Sequence, residues 1–170
     1  MKPEIPTPKS KIVLIGIGNE YRSDDGLGLE IVRQLNKMNL PNTVAIEQSG
    51  DGIALMEILQ KADTVFLFDA VHSGSAKPGT IHRLNAHQRD IPRRFLNYST
   101  HDFSVAEAIE LTRTLDQLPS HLILYGIEGA VFSTGAGFSP EVNAAISKVL
   151  SQVLSEIKLL PGVSRVSALH

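Results

Sequence analysis

Apolar positions along the chain follow two rhythms that alternate. Short runs rich in Val, Ile, Leu and Phe at residues 12–15, 43–47, 64–68 and 122–127 predict β-strands. The first, third and fourth are apolar on both faces, as strands covered by helices on either side must be. Residues 80–84 form a shorter run after the turn signal Lys77-Pro78-Gly79. This run carries His82 and Arg83, which places it at a sheet edge. Other stretches have a helical period. Residues 25–39 put Leu27, Ile31, Leu35 and Met38 on one face, residues 53–60 form a short helix, and residues 103–115 align Val105, Ala108, Ile109 and Leu115. The last helix opens with Ser139-Pro140-Glu141, which supplies a cap, a proline at the first helical position and an early acid. Its stripe is Val142, Ala145, Ile146, Val149, Leu150, Val153 and Ile157. Strands alternating with helices predict a three-layer α/β/α domain around a mostly parallel sheet.

Composition narrows the function more than the fold. The 170 residues suit one domain, with residues 11–158 as its body. Residues 1–10, with Pro3, Pro6 and Pro8, read as a mobile leader, and residues 159–170 as a loose tail. No apolar run reaches the roughly 18–20 residues of a membrane span, and no signal peptide is visible, so a cytoplasmic protein is expected. Sixteen Lys and Arg against 18 Asp and Glu argue against nucleic acid and against a polybasic membrane face. A monomer is expected, because no large apolar stripe is left over. The chain has no cysteine. That excludes disulfides, thiolate zinc, iron–sulfur clusters and a cysteine nucleophile. Any metal must be held by Asp, Glu, His or backbone oxygen.

In open α/β sheets ligands bind beyond the carboxyl ends of the strands. After the first strand come Gly16-Ile17-Gly18-Asn19 and then Ser23-Asp24-Asp25-Gly26-Leu27-Gly28. The second is followed by Ser49-Gly50-Asp51-Gly52, the third ends at Asp69, and the last leads into Glu128-Gly129. Ser99-Thr100-His101-Asp102 precedes the third helix. Each residue has a plain reading beside the functional one. Asp24 or Asp25 caps the first helix, Asp102 caps the third, Asp69 is a satisfied strand end, and His101 is a loop histidine. Two adjacent acids exceed what one cap needs, and an Asp at the rim of a buried strand is poorly placed unless something binds it. Together, two carboxylates and an imidazole make a three-ligand site with open positions, suited to nickel, zinc, cobalt or manganese. A dinucleotide site is the weaker idea. Tyr21 stands where that motif needs its third glycine, and two acids would repel a pyrophosphate. The glycines are expected to be turn residues that let the acids approach the rim.

The stretch KIVLIGIGNEYRSDDGLGLEIVRQL at residues 11–35 resembles the N-terminal motif of the hydrogenase maturation endopeptidases. The resemblance continues at Phe68-Asp69-Ala70, Pro78-Gly79-Thr80, Ser99-Thr100-His101 and Gly126-Ile127-Glu128-Gly129, and it covers residues 11–154. It implies a twisted five-stranded sheet with one antiparallel strand, for which residues 80–84 are the choice. It implies metal contacts at Asp25, Asp69 and His101. Asp24 then orients a ligand, acts as a base or simply caps the helix. The implied activity is removal of a C-terminal extension from the large-subunit precursor of a nickel–iron hydrogenase, once nickel has been inserted. Nickel would come with the substrate, and zinc or cadmium can stand in for it in a crystal. A metal that polarises the scissile carbonyl or activates water is the simplest chemistry for such a site. The alternatives are a metal-dependent small-molecule hydrolase or a metal-binding maturation chaperone on the same frame.

Two further features stay open at this level. Arg83, Arg89, Arg93 and Arg94 against Asp90 make either a docking patch for an acidic partner or a solvated loop. The run from Phe132 to Ser139, with Gly135 and Gly137, frames either a peptide groove or the turn before the last helix.

Overall fold

A computed structural model describes residues 11–88, 90–92 and 103–161. The buried run Ile12–Ile17 (β1) enters the sheet, and a 3₁₀ turn at Ser23–Gly26 leads into Leu27–Lys37 (α1). There follow Thr43–Gln48 (β2), Gly52–Leu59 (α2), Thr64–Val71 (β3), Ile81–Asn85 (β4), Val105–Thr114 (α3), His121–Glu128 (β5) and Pro140–Leu159 (α4). The strand order is β2-β1-β3-β5-β4. All neighbours are parallel except β4, which runs antiparallel to β5 at the edge.

Period-two alternation sends each strand's side chains to two different cores. Leu14, Phe66, Phe68, Ile123 and Tyr125 pack with α1 and α4, while Ile15, Val65, Leu67, Leu122 and Leu124 pack with α2 and α3. These are the three layers expected from the pattern. Helix starts follow local chemistry. Asp51 accepts the Ile53 N–H at 3.0 Å to cap α2, and Ser104 with Glu107 forms a reciprocal capping box on α3. The cap of α3 is therefore Ser104 and not Asp102, which lies outside the described residues. Two residues expected in the core are exposed: Met38 and Leu115 sit just past the ends of α1 and α3, where the helical face no longer points inward. Residues 1–10 and 162–170, including most of the expected tail, lie outside the described residues.

One polar knot ties the antiparallel edge to α4. Arg83 on β4 donates two bonds to Glu156 at 2.6 and 2.9 Å, and the Tyr125 hydroxyl on β5 donates to the same carboxylate. Arg83 is thus a structural residue and not part of a free docking patch; Arg89, Arg93 and Arg94 lie outside the described residues. Burial alone would raise the Glu156 carboxyl, but the bonds from Arg83 and Tyr125 outweigh it and hold the group below the usual carboxylate range. A group with a depressed folded pKa stabilises above its unfolded value and loses that contribution as pH falls through the folded one. The Glu156→Gln variant is therefore expected to lose about 1–2 kcal/mol at neutral pH. Denaturant melts at stepped pH should show the difference closing below about pH 4.

Candidate active site

The site is assembled by glycines at a helix–sheet contact. Gly16 lies inside β1 and not in a turn, and a Cβ there would stand 2.2 Å from the Gly28 carbonyl oxygen. A Cβ on Gly28 would stand 2.4 Å from the carbonyl oxygens of both Ile17 and Phe68. The first turn of α1 thus rests directly on the backbones of β1 and β3. Gly18 is the true turn residue: its φ is 153°, and a Cβ would come within 1.9 Å of the Asp25 carbonyl oxygen. Close approach at these glycines brings the 3₁₀ turn against the end of β3.

Asp25 comes in on that turn. Its Oδ2 accepts the Asn19 N–H at 3.2 Å. Asp69 sits within β3, which runs beyond it to Val71, and its backbone partner is Gly126 of β5. Both acids are buried. Desolvation raises the Asp25 carboxyl, against the opposing pull of Arg22 and the Asn19 N–H. Desolvation also drives Asp69 well above the usual carboxylate range, and the negative charge of Asp25 pushes it the same way; only the Ala70 N–H opposes. Two buried carboxylates, one of which pushes the other up, favour a shared proton or a bound cation over double ionisation.

Asp24 has a different part. Its Oδ2 accepts the N–H groups of Ala130 and Val131 at 2.8 and 2.9 Å and the Ser139 hydroxyl at 3.0 Å, while Oδ1 accepts the Ser139 N–H at 2.8 Å. The first helix has no side-chain cap bond, so the cap reading of Asp24 is replaced by a clamp on the loop between β5 and α4. Ser139 holds the cap position of α4, but its hydroxyl serves Asp24. Further ties reinforce the clamp: Arg22 Nε donates to the Phe132 carbonyl at 3.2 Å and the Ser23 hydroxyl to the Ser133 carbonyl at 3.0 Å. The loop with Gly135 is thereby joined to the turn that carries Asp25.

His101, the third expected ligand, lies outside the described residues, as do Ser99 and Thr100. Phe103, two positions on, accepts the Gly52 N–H at 3.1 Å, at the N-terminus of α2. Among the described residues no three His, Cys, Asp or Glu side chains form a group able to hold a metal ion. Asp25 and Asp69 are the described part of the expected set.

A second polar cluster was not anticipated. Glu128, at the end of β5, is almost fully buried. It accepts the Ser73 N–H at 3.2 Å, the Ser73 hydroxyl, and a bond with His82 Nε2 at 3.1 Å. The serine hydroxyl donates to the carboxylate, which is not the serine–histidine contact of a nucleophilic triad. The only sequence signal for the cluster was an acid closing a buried strand; the pairing with His82 depends on an antiparallel register. Three exposed apolar side chains lie on the loops and helix start that follow β1, β2 and β5: Tyr21, Ile53 and Val131.

The model of the hydrogenase maturation protease family matches residues 29–156. The chain belongs to that family. It is 29% identical over 151 residues to the hydrogenase 2 maturation protease of Escherichia coli strain K12, covering 87% of this chain and 91% of that one. It is also 29% identical to a hydrogenase expression/formation protein, HupD, of Thiocapsa roseopersicina, with 91% and 71% covered. Among solved structures it is similar to the hydrogenase maturating endopeptidase HybD from Escherichia coli, with a TM-score of 0.75, 26% identity, and 87% and 92% of the two chains covered. As a hydrogenase maturation protease, the protein is a peptide-bond hydrolase. None of its described helices is long and apolar enough to cross a membrane.

Proposed function

We propose that this protease cuts a C-terminal extension from the large-subunit precursor of a nickel–iron hydrogenase, and that it engages the precursor through nickel already inserted there. The observation that carries this reading is the pair Asp25 and Asp69: two buried carboxylates on different elements, each raised by burial and Asp69 further by its neighbour. Such a pair is relieved by a divalent cation, and its oxygen donors suit nickel held mainly by the substrate. Asp25, Asp69 and His101 would contact the metal. Asp24 holds the turn that presents Asp25. The exposed Tyr21, Ile53 and Val131 offer apolar contacts for an extended polypeptide at the same end of the sheet. Bound metal would polarise the scissile carbonyl or activate the attacking water. Among the described residues, no feature of the site favours a small-molecule hydrolase or a chaperone.

The test is mass spectrometry of purified hydrogenase large-subunit precursor, nickel-loaded or nickel-free, incubated with the protein. Loss of one defined C-terminal peptide from the loaded form alone is expected. Equal cutting of both forms would remove nickel from the recognition step. A folded protein that cuts neither would end the proposal.

A further inference from the structure

The loop between β5 and α4 directs its polar groups onto one short stretch of chain. The Ala130, Val131 and Ser139 N–H groups and the Ser139 hydroxyl all meet the Asp24 carboxylate, and the Val131 carbonyl accepts the Asp24 N–H in return at 3.0 Å. One residue earlier, the Gly135 carbonyl accepts the Ser23 N–H at 3.1 Å and the Ser133 carbonyl accepts the Ser23 hydroxyl at 3.0 Å. The Tyr21 carbonyl accepts the Gly135 N–H at 3.0 Å. Ser23 itself has a φ of 52°, in the left-handed region that a residue with a Cβ occupies when its surroundings hold it there. The loop supplies that hold.

Ser139 stands out among these ties. The run Ser139-Pro140-Glu141 is suited to capping α4 with the serine's own hydroxyl. Yet α4 has no side-chain cap bond, and the hydroxyl goes to Asp24, 115 residues away in the chain. Asp24 is fully buried, with four donors about its two oxygens, as many as a carboxylate accepts. A group so enclosed acts through what it holds, and not on a substrate. Asp24 and Asp25 are consecutive in the 3₁₀ turn, where neighbours lie about a third of a turn apart. One carboxylate therefore faces the loop, and the next is carried round toward β3, where its charge reaches Asp69. The Asn19 N–H marks the place of that second carboxylate, 3.2 Å from Asp25 Oδ2. Any rotation of the turn that moved Asp25 would break the bonds at Asp24.

We propose that Ser139 is a positioning residue for the site: through Asp24 it locks the turn at residues 23–25 in the orientation that aims Asp25 at Asp69. This rests on the reading that Asp25 and Asp69 are the acids of the processing site. Ser139 touches neither of them and acts only through the turn.

The experiment compares the unsubstituted protein with Ser139→Ala, Ser139→Thr and Asp24→Asn by amide hydrogen exchange and by processing of nickel-loaded large-subunit precursor. Ser139→Ala removes one hydroxyl and leaves the backbone donors, so the fold should persist. The Asn19 amide is expected to exchange on the order of tenfold faster in this variant, while sheet amides such as those of Leu67 and Leu124 keep their rates. Processing should fall by a similar factor at a temperature where the variant is fully folded, and Ser139→Thr, which keeps the hydroxyl, should restore both. Asp24→Asn should act in the same direction and more strongly, because it turns an acceptor toward a donor into a donor toward a donor. Unchanged Asn19 exchange in Ser139→Ala would overturn the inference, and so would exchange that quickens equally in the sheet, which is the mark of a merely structural bond. Slower processing with Asn19 undisturbed would also overturn it, by showing that the loop acts on the substrate and not on the turn. The exchange arm needs no precursor. If Asn19 exchange quickens and Thr restores it while processing is unaffected, Ser139 does position Asp25, and the failure lies in the place of Asp25 in the reaction.

Discussion

The Asp69→Asn variant is expected to lose precursor processing by a factor of about 10²–10⁴ while unfolding no more easily than the unsubstituted protein. The two effects separate because Asp69 is costly to the fold. Its carboxyl is buried, raised chiefly by desolvation, and further raised by Asp25. For an acid whose folded pKa lies above its unfolded value, the native state holds the proton more tightly, so stability falls as pH rises through that window. Asparagine keeps the shape and removes the charge. In metal-free protein the variant should therefore gain stability relative to the unsubstituted chain as pH rises above about 4. Denaturant melts across pH, beside the processing assay, check both halves. A large drop in stability would mean that Asp69 is a structural residue with an unseen partner. Retained processing would remove it from the site.

Gly28→Ala should act in the opposite way, through the fold first. Alanine in place of glycine inside an ordinary helix stabilises by about 1 kcal/mol. Here the added Cβ would meet the Ile17 and Phe68 carbonyl oxygens at 2.4 Å and the Ile17 nitrogen at 2.9 Å. These are backbone atoms of two sheet strands, so they cannot swing aside, and α1 must move instead. A net loss of about 2–3 kcal/mol is expected, seen as a fall of roughly 5–10 °C in melting temperature for a chain of this size. Because Gly28 lies three residues after Asp25, the same movement draws Asp25 away from β3. Processing should fall by more than the folded fraction does. A melting temperature that stays or rises would show that the helix does not rest on the sheet as described.

The architecture was legible because it is written in local periods. Apolar runs with period two and stripes with period 3.6 locate the described strands and α-helices of the sheet and its two covers, and the Lys77-Pro78-Gly79 turn marks the start of the edge strand. The acid pair Asp24-Asp25 and Asp69 stood out as candidates for a related reason. A charged residue at the end of a buried strand, or doubled at a helix start, conflicts with its local setting, and such conflicts gather at functional sites. The resemblance of residues 11–35 and of the later motifs then pointed to one family, to which the chain belongs.

Other assignments depended on contacts between residues distant in the chain. Asp24 and Asp25 are neighbours with the same side chain, and nothing local separates them; Asp24 became a clamp because residues 130–139 fold back over its turn. Gly16 and Gly28 look like members of a turn motif, yet their role is the contact of a helix with two strands. Arg83 read as one charge in a basic loop until α4 brought Glu156 to it. His82 came to meet Glu128 only through the register of β4 on β5. Periodicity and composition specify which residues must be buried and in what kind of element. The pairing of polar groups is decided by the distances between elements, because a hydrogen bond exists only where donor and acceptor meet within about 3 Å.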